Sequence, residues 1–256
     1  MVIISKILNT IPRPQLIKLS NWLRPIIALF LKGTKYTDPI DGKSYRKFLP
    51  YGYQKIRKNV LAPGTFSLER HRLFWIYLKN ETDFFSATKK KVLHFAPEQA
   101  FFNQFKKIKK INYTTTDLVS PLADVKADIC NLPFEDNAYD IVFCNHVLEH
   151  IPDDTKAMQE LYRVLKPGGK LVVLEFSNPT KFPIKQLYQF YSFKLLPIFG
   201  KLFSNDARAY TYLPESVKAF PDGAQFLAVM QRSGFVKSES KSLGMGICSI
   251  YIGVKN

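Results

Sequence analysis

The sequence predicts an α/β protein built on a parallel, doubly wound sheet, and three features of residues 91–177 indicate this fold. Four short runs rich in β-branched and aromatic residues are bounded by turn formers: KVLHFAP, INYTTTDL, YDIVFCN and GKLVVLEFS. These runs are almost continuously apolar, as strands of a sheet covered on both faces must be. A helical pattern separates the last two runs, and strands that alternate with helices form parallel sheets.

Residues 153–169, DDTKAMQELYRVLKPGG, carry that helical pattern. Apolar residues recur at helical spacing from Met158 to Leu165. Two aspartates at the start suit a helix N-terminus, and the Pro-Gly-Gly stretch beginning at Pro167 is predicted to end the helix.

The composition fits one larger domain with extensions and excludes a chain that is disordered throughout. The 256 residues are 46% hydrophobic, which is enough to bury a full core. Cys130, Cys144 and Cys248 form no CxxC pair, so neither a disulfide framework nor a cysteine-rich zinc site is indicated. The formal charge of +16 makes the surface attractive to nucleic acid, an acidic membrane face or a charged small molecule.

The regular pattern begins near residue 89, and this predicts a domain boundary. Residues 1–88 are interpreted as a helical or irregular extension and residues 89–256 as the main domain. The longest uninterrupted apolar run near the N-terminus, Pro25 to Leu31, is far shorter than the roughly 20 residues that span a bilayer. No secretory cleavage pattern follows it, so we expect a cytoplasmic chain. The extension either packs on the domain or lies on a membrane face as a basic amphipathic segment.

The stretch NHVLEH, residues 145–150, contains the spacing His-x-x-Glu-His, which can bind zinc in metalloproteases. That zinc site needs a helix, because a helix brings both histidines onto one face. Here the stretch directly follows a predicted strand, and Pro152 pushes Ile151 away from helical geometry. We therefore expect the edge of a ligand pocket and no metal, with neither stability nor activity responding to zinc or a chelator. In a doubly wound sheet the ligand lies beyond the carboxyl ends of the strands.

Residues 91–177 resemble the class I S-adenosylmethionine-dependent methyltransferases. The resemblance is carried by ADICNLPFEDNAYDIVFCNHVLEHIPDDTKAMQELYRVLKPGGKLVVLEF, with its Asp before LPF, its D-N-x-x-D turn, its VLEHI stretch and its RVLKPGG link. It implies a Rossmann-like, doubly wound, seven-stranded sheet with one antiparallel strand, for which ICSIYIGVK is the candidate. It also implies S-adenosylmethionine as the cofactor.

The resemblance assigns cofactor-binding roles to individual residues. Asp117, at the end of the second strand, would accept the ribose hydroxyls, as an acidic residue does in dinucleotide-binding folds. Asp128 would bind the adenine amino group and the Ile129 backbone the ring edge, between the apolar side chains of the LPF stretch. Asn145 would lie under the methionine end.

The first loop departs from the family pattern. It has the sequence LHFAPEQAFF, without the usual glycines, and Pro97 lacks an N–H group. We expect Glu98 to face the ammonium and Gln99 the carboxylate of the cofactor, with His94 and Ala96 completing the loop. The motif LHFAPEQ is similar to the first loop of a group of bacterial methyltransferases whose substrates are poorly defined.

From about residue 170 the chain is similar to the ubiquinone/menaquinone biosynthesis C-methyltransferases, whereas residues 35–170 are closer to the LHFAPEQ group. The C-terminal similarity implies methylation of a ring carbon of a demethylated menaquinol or ubiquinol. Ionisation of a ring hydroxyl makes the neighbouring carbon nucleophilic, so a base near the acceptor would assist. The candidate catalytic residues are His146, Glu149, His150 and Tyr210.

Residues 180–222 are predicted to form a lid over the acceptor. The stretch FYSFKLLPIFGKLF combines apolar and aromatic residues with Lys194 and Lys201, which are placed to meet anionic lipid headgroups. We expect a small-molecule acceptor, in particular a polyprenylated quinol, and reversible contact with the inner membrane face.

Two other functions stay open besides methylation of a different small molecule. A nucleic-acid methyltransferase would use the lysines within residues 89–91 and 106–110, although no base-reading or stacking motif accompanies them. A relative that binds the cofactor without catalysis would account for the loop without glycine.

Overall fold

The computed structural model describes residues 12–52, 56–86, 88–195, 217 and 219–256. The chain divides into two compact units. The N-terminal unit comprises Met1–Thr88 together with Glu98–Lys110, and the sheet unit comprises Lys89–Pro97 together with Ile111–Asn256. Residues 98–110 therefore group with the N-terminal extension, although they lie within the main domain in sequence.

The N-terminal unit combines three helices and two small antiparallel strand pairs within its described residues. Its elements are α1 (Arg13–Phe30), β1 (Lys32–Thr37), β2 (Ser44–Tyr45), β3 (Leu49–Tyr51), β4 (Arg57–Leu61), α2 (Glu69–Glu81) and α3 (Gln99–Phe105). Strand β1 pairs with β2, and β3 pairs with β4. A small core of Leu31, Tyr45, Phe48 and Ala62 is buried in this unit.

Helix α1 exposes large apolar side chains, although it belongs to a folded unit. Trp22 is 67% exposed, and Leu29 and Phe30 are each 72% exposed. Leu19 and Ile26 are also exposed, so the apolar residues recur at helical spacing. No helix in the described part of the chain is both long enough and apolar enough to cross a membrane.

The sheet unit is a seven-stranded sheet in its described residues, with the order β10-β11-β9-β8-β5-β6-β7. The strands are β5 (Lys90–Phe95), β6 (Ile111–Asp117), β7 (Val125–Lys126), β8 (Tyr139–Asn145), β9 (Leu165–Phe176), β10 (Phe235–Leu243) and β11 (Cys248–Lys255). The four strands predicted from the apolar runs are β5, β6, β8 and β9, and they pair in parallel as expected.

Strand β11 is the antiparallel strand of this sheet. It pairs antiparallel with β9 on one side and with β10 on the other. The ICSIYIGVK run therefore forms the strand for which it was the candidate. The predicted Rossmann-like, doubly wound sheet with one antiparallel strand is confirmed.

Helices α4 (Asp154–Val164) and α6 (Ala224–Arg232) pack against this sheet. Met158 and Leu161 of α4 and Phe226 and Met230 of α6 are buried in one core with side chains from the strands. Helix α5 (Ile184–Phe190) follows β9 in the chain and continues into a π-helical turn over Tyr191–Leu195. The buried side chains of α4 and α6 stabilise the sheet unit, because burial of apolar surface is the main favourable term in folding.

Helix α4 begins as predicted but ends earlier than its apolar spacing indicated. The Asp153 side chain accepts a hydrogen bond from the Lys156 backbone N–H at 2.9 Å and caps the helix. The last helical residue is Val164, and Leu165 already belongs to β9. Pro167 explains the early end, since its ring disfavours helical geometry at Lys166 and cannot follow a continuing turn.

The Pro-Gly-Gly stretch follows the helix and forms an irregularity within β9. Tyr139 is paired with Leu165, whereas Ile141 is paired with Lys170, so residues 166–169 interrupt the regular register. Gly168 has φ of +75°, a conformation that favours glycine.

Candidate functional site

Three neighbouring strands end side by side at the carboxyl edge of the parallel sheet. Phe95, the last residue of β5, pairs with Thr116 of β6 and with Cys144 of β8. Ala96, Asp117 and Asn145 follow these positions at the same edge of the sheet unit. The Ala96 N–H donates a hydrogen bond to the Thr116 carbonyl at 3.0 Å, which ties the first loop to the end of β6.

The first loop takes a glycine-like backbone conformation without a glycine. Ala96 has φ of +46°, in the left-handed region that side chains other than glycine rarely adopt. It also precedes Pro97, which further restricts its backbone. His94, just before it, is completely buried, and its Nδ1 atom lies 2.7 Å from the Tyr113 hydroxyl.

Glu98 and Gln99 belong to the N-terminal unit and have contacts there. The Gln99 Nε2 group donates to Asn21 Oδ1 at 2.9 Å and to Ser20 Oγ at 3.2 Å. Glu98 Oε1 lies 3.8 Å from His71 Nε2. Their assignment to the ammonium and carboxylate of the cofactor stays a prediction.

One carboxylate oxygen of Asp117, Oδ1, accepts backbone hydrogen bonds, and the other, Oδ2, accepts none in the part of the chain that the structure describes. Its Oδ1 atom accepts hydrogen bonds from the Val119 N–H at 2.7 Å and the Ser120 N–H at 2.6 Å. These bonds fix the carboxylate at the start of the turn after β6. Within the described residues, Oδ2 has no hydrogen-bond partner, so this acceptor is available to a ligand.

Asp128 and Ile129 lie beside Asp117 at the same edge. Strand β7 pairs in parallel with the end of β6, and the Ala127 N–H donates to the Asp117 carbonyl at 3.3 Å. The exposed Asp128 carboxylate accepts from the Cys130 N–H at 2.9 Å, while the Ile129 side chain is buried. The structure therefore brings Asp117 and the Asp128–Ile129 pair together, and their cofactor-binding roles stay predictions.

Arg163 holds the LPF stretch in place, a role that was not predicted from the sequence. Its guanidinium donates to the carbonyls of Leu132 at 2.9 Å and Phe134 at 2.7 Å. It also pairs with Asp136 and Glu160, and Glu160 in turn accepts from the Leu132 N–H at 2.7 Å. Hydrogen bonds from Arg163 hold the pKa of the Glu160 carboxyl below its ordinary value. The RVLKPGG link contained the signal, since Arg follows Glu160 by three helical positions.

These residues fit S-adenosylmethionine by the chemistry of their donor set. A carboxylate oxygen without a partner suits ribose hydroxyls, and a second carboxylate one strand away suits an amino group. Buried Ile129 and Leu132, with half-buried Phe134, provide the apolar surroundings that a purine ring needs. Ala96 adopts the left-handed backbone conformation that glycine takes without strain.

The NHVLEH stretch does not form the helix that a metalloprotease site requires. Strand β8 ends at Asn145, and a 3-10 turn of three residues covers Leu148–His150. His146 has φ of +54°, outside helical geometry, and Ile151 is extended. The two histidines therefore do not share a helical face, as expected from Pro152.

Glu175 brings an unpredicted carboxylate next to this stretch. It lies in β9 and is completely buried, and its Oε1 atom accepts from the N–H groups of Val147 at 3.0 Å and Leu148 at 3.1 Å. Its Oε2 atom lies 3.7 Å from His146 Nδ1. The signal in the sequence was an acidic residue inside the apolar run VVLEF, where charged residues are rare.

Glu149 is a candidate whose side chain is buried and whose pKa lies near neutral pH. Its side chain is only 3% exposed, and burial together with the nearby Glu175 charge raises its pKa to about 7. His150 Nε2 lies 3.5 Å from Glu149 Oε1 and its side chain is 45% exposed. The fourth candidate, Tyr210, lies outside the described residues.

A cavity of about 480 Å³ opens next to the end of β9. It is lined by residues that follow this strand, including Ser177, Thr180 and Phe182, and by Asp222 and Ser249. Its size is in the range of small-molecule sites, and its lining offers hydroxyl and carboxylate groups beside an aromatic ring.

Comparison with known proteins assigns the chain to a family. The model of the ubiE/COQ5 methyltransferase family matches residues 93–255. A ubiquinone/menaquinone biosynthesis C-methyltransferase, UbiE, of Haemophilus ducreyi is 44% identical over 131 residues, covering 51% of this chain and 51% of that protein. A demethylmenaquinone methyltransferase of Bacteroides fragilis is 39% identical over 138 residues, covering 54% of this chain and 56% of that protein. The chain thus spans about half the length of these curated relatives.

One solved structure extends the likeness of the fold to most of the chain. A crystal structure described as a possible exported protein from Bordetella parapertussis matches with a TM-score of 0.50 and 16% identity. It covers 92% of this chain and 79% of that chain. At this identity the match concerns the fold alone.

Proposed function

Because the chain belongs to the ubiE/COQ5 methyltransferase family, we propose that it transfers the methyl group of S-adenosylmethionine to a ring carbon of a demethylated quinol. One observation carries the proposal. The matched region, residues 93–255, contains the carboxyl edge at which Ala96, Asp117, Asp128 and Asn145 meet. The family match and the carboxyl edge that carries the candidate cofactor residues thus lie in one unit.

The cofactor occupies this edge in the proposal. Asp117 Oδ2 accepts the ribose hydroxyls, and Asp128 binds the adenine amino group. The backbone of Ile129 meets the ring edge, and Asn145 lies at the methionine end. His94 and Ala96 shape the first loop.

The residues of the NHVLEH stretch handle the proton of the acceptor. S-adenosylmethionine supplies a methyl group that is already activated by a sulfonium, so the protein mainly aligns the acceptor and excludes water. A ring hydroxyl must lose its proton to make the neighbouring carbon nucleophilic. Glu149 suits this task because its pKa of about 7 lets it accept a proton at neutral pH. His146 and His150 remain further candidates.

An exposed apolar segment after β9 supports a lipid-like acceptor. In the described part of the predicted lid, Phe182 is 82% exposed, Leu187 60% and Phe190 57%. Helix α5 buries none of its residues. Such a surface suits a polyprenyl chain more than a water-soluble substrate. The described residues of the lid stop at Leu195, so Leu196, Ile198, Phe199 and Lys201 lie outside them.

The same segment supports reversible contact with an anionic membrane face. Lys181, Lys185 and Lys194 are exposed among its apolar residues. Apolar side chains that enter a bilayer interface and lysines that meet anionic headgroups add to each other. Helix α1 offers a second exposed apolar face, with Trp22 at its centre.

Methyl transfer to three classes of acceptor, measured in parallel, tests the proposal. The purified chain is incubated with methyl-labelled S-adenosylmethionine and, in parallel, with demethylmenaquinol in anionic vesicles, a water-soluble phenol and total nucleic acid. The proposal predicts label in the quinol and binding to anionic but not to neutral vesicles. Label in the phenol or nucleic acid without label in the quinol would contradict the quinol assignment and retain the methyltransferase assignment.

A further inference from the structure

We infer that His146, Glu149 and Glu175 form a binding site for one divalent transition-metal cation. One ligand atom from each of the three side chains lies within 4.8 Å of the others. The three residues come from the end of β8, the 3-10 turn and β9, all within the sheet unit. The sequence predicted no metal here, because NHVLEH follows a strand and cannot form the helix that a His-x-x-Glu-His zinc site needs. Glu175 from β9 supplies a carboxylate that this pattern did not include.

Unpartnered polar atoms point into the cluster. Glu175 is completely buried, and while Oε1 accepts two backbone N–H groups, Oε2 has no hydrogen-bond partner in the described part of the chain. Both ring nitrogens of His146 are buried and also lack partners there. Buried polar atoms normally have partners, so three orphaned atoms side by side indicate a missing ligand. The 3.7 Å separation of His146 Nδ1 and Glu175 Oε2 is too long for a hydrogen bond.

The charge of the cluster favours a cation. The side chains of Glu149 and Glu175 are 3% and 0% exposed, so two carboxylates approach each other away from water. Within the described residues, neither carboxylate forms an ion pair with a lysine or an arginine. Buried like charges are costly unless an opposite charge compensates them, and a divalent cation would neutralise both.

The ligand types select the class of metal. One imidazole and two carboxylates suit Mn²⁺, Fe²⁺ or Zn²⁺ better than Ca²⁺, which prefers oxygen alone. Bonds of about 2.0–2.2 Å require the ligand atoms to approach one another by side-chain rotation from their present separations. Backbone bonds limit this movement, since the His146 N–H donates to the Leu174 carbonyl at 2.8 Å and Oε1 of Glu175 is held by Val147 and Leu148.

Three protein ligands leave coordination positions for water or a substrate oxygen. Glu149 cannot accept a proton while it binds the cation, so the proton-accepting role proposed for it applies to the metal-free protein. If the proposed function holds, a ring hydroxyl of the acceptor would occupy an open position on the bound cation and ionise more readily. The existence of the cation site does not depend on that reaction.

Manganese binding tests the inference without any measurement of catalysis. The full chain is stripped with a chelator, which is then removed, and Mn²⁺ is titrated while free Mn²⁺ is followed by electron paramagnetic resonance. We expect one Mn²⁺ per chain and a melting temperature that rises with Mn²⁺ concentration. Glu149→Gln, Glu175→Gln and His146→Gln should each weaken binding by at least about tenfold.

Glu239→Gln is the matched control, because Glu239 is an exposed glutamate on β10 that is not part of the cluster, and the Mn²⁺ affinity of this variant should stay within about twofold of wild type. If Glu175→Gln fails to fold, the Glu149 and His146 variants carry the comparison, with circular dichroism as the check of folding. Absence of Mn²⁺ binding, or equal binding by all folded variants, would overturn the inference and indicate a His146–Glu175 ion pair. Calorimetry with S-adenosylmethionine on the same samples separates this outcome from failure of the proposed function.

Discussion

Asp117→Ala is expected to weaken the binding of S-adenosylmethionine more than tenfold. Asp117 Oδ1 already accepts two backbone N–H groups, so we count only one ribose hydrogen bond, to Oδ2. A hydrogen bond to a charged group contributes about 1.5–3 kcal/mol. Asp117 is half-buried, which favours the lower end of this range, and a tenfold change in affinity corresponds to about 1.4 kcal/mol.

Asp117→Asn separates ligand binding from the turn. Asparagine retains one oxygen that can accept from the Val119 and Ser120 N–H groups, but it replaces the charged acceptor at Oδ2 with a donor. We therefore expect Asp117→Asn to lose affinity comparably to Asp117→Ala while retaining more of the folding stability. Isothermal titration calorimetry measures the first effect and urea unfolding the second.

Asp140→Asn is the control at the opposite edge of the sheet. Asp140 accepts from the Lys91 N–H at 2.6 Å and from Lys166 Nζ at 2.7 Å, near the amino end of β8. Its substitution should lower stability and leave the affinity for S-adenosylmethionine within about twofold, because a lost contact far from the ligand affects folding alone. Unchanged affinity in a folded Asp117→Ala protein, or an equal loss in Asp140→Asn, would refute the assignment of Asp117.

Three further outcomes are expected. Ala96→Gly should not destabilise the protein in urea unfolding, because the left-handed φ of +46° costs alanine about 1–2 kcal/mol. Ala157→Gly, at a buried position of α4, is the control and should lower the free energy of unfolding by at least about 1 kcal/mol. Arg163→Lys should lower both stability and cofactor affinity, because lysine cannot bind both loop carbonyls and Glu160 at once. The expected loss in the free energy of unfolding is about 1–2 kcal/mol after allowance for the partial exposure of Arg163. The lowered pKa of Glu160 means that its contribution to stability is present above the ordinary carboxyl pKa, about 4.3, and is lost as pH falls through the lower pKa of the folded state. Wild-type protein should therefore lose stability more steeply than Glu160→Gln below about pH 4.3 in acid unfolding followed by circular dichroism; equal slopes would contradict this.

The strands and the carboxyl edge could be predicted because their signals are local. Apolar runs such as YDIVFCN form strands wherever both faces of a sheet are covered, and parallel pairing then brings Ala96, Asp117 and Asn145 to one edge. The end of α4 was misplaced because Leu165 continues the helical spacing of apolar residues. The restriction from Pro167 outweighed that spacing, so Leu165 joined β9.

Contacts between distant parts of the sequence were not predictable from local patterns. Gln99 donates to Asn21, 78 positions earlier, within a unit that the sequence did not delimit. Glu175 approaches His146 only because β9 lies beside β8 in the sheet. The left-handed backbone of Ala96 is equally unpredictable, since alanine offers no local preference for it.

Transfer of a deuterated methyl group to demethylmenaquinol tests the central claim most directly. The purified chain is incubated with S-adenosylmethionine that carries the deuterated methyl group and with demethylmenaquinol in anionic vesicles. Mass spectrometry and carbon NMR then locate the label in the extracted lipid. The account predicts a deuterated methyl group on a ring carbon, with Asp117→Ala strongly reduced and Asp140→Asn near wild type. Label on a ring oxygen, or an unlabelled lipid from protein that binds S-adenosylmethionine, would contradict it.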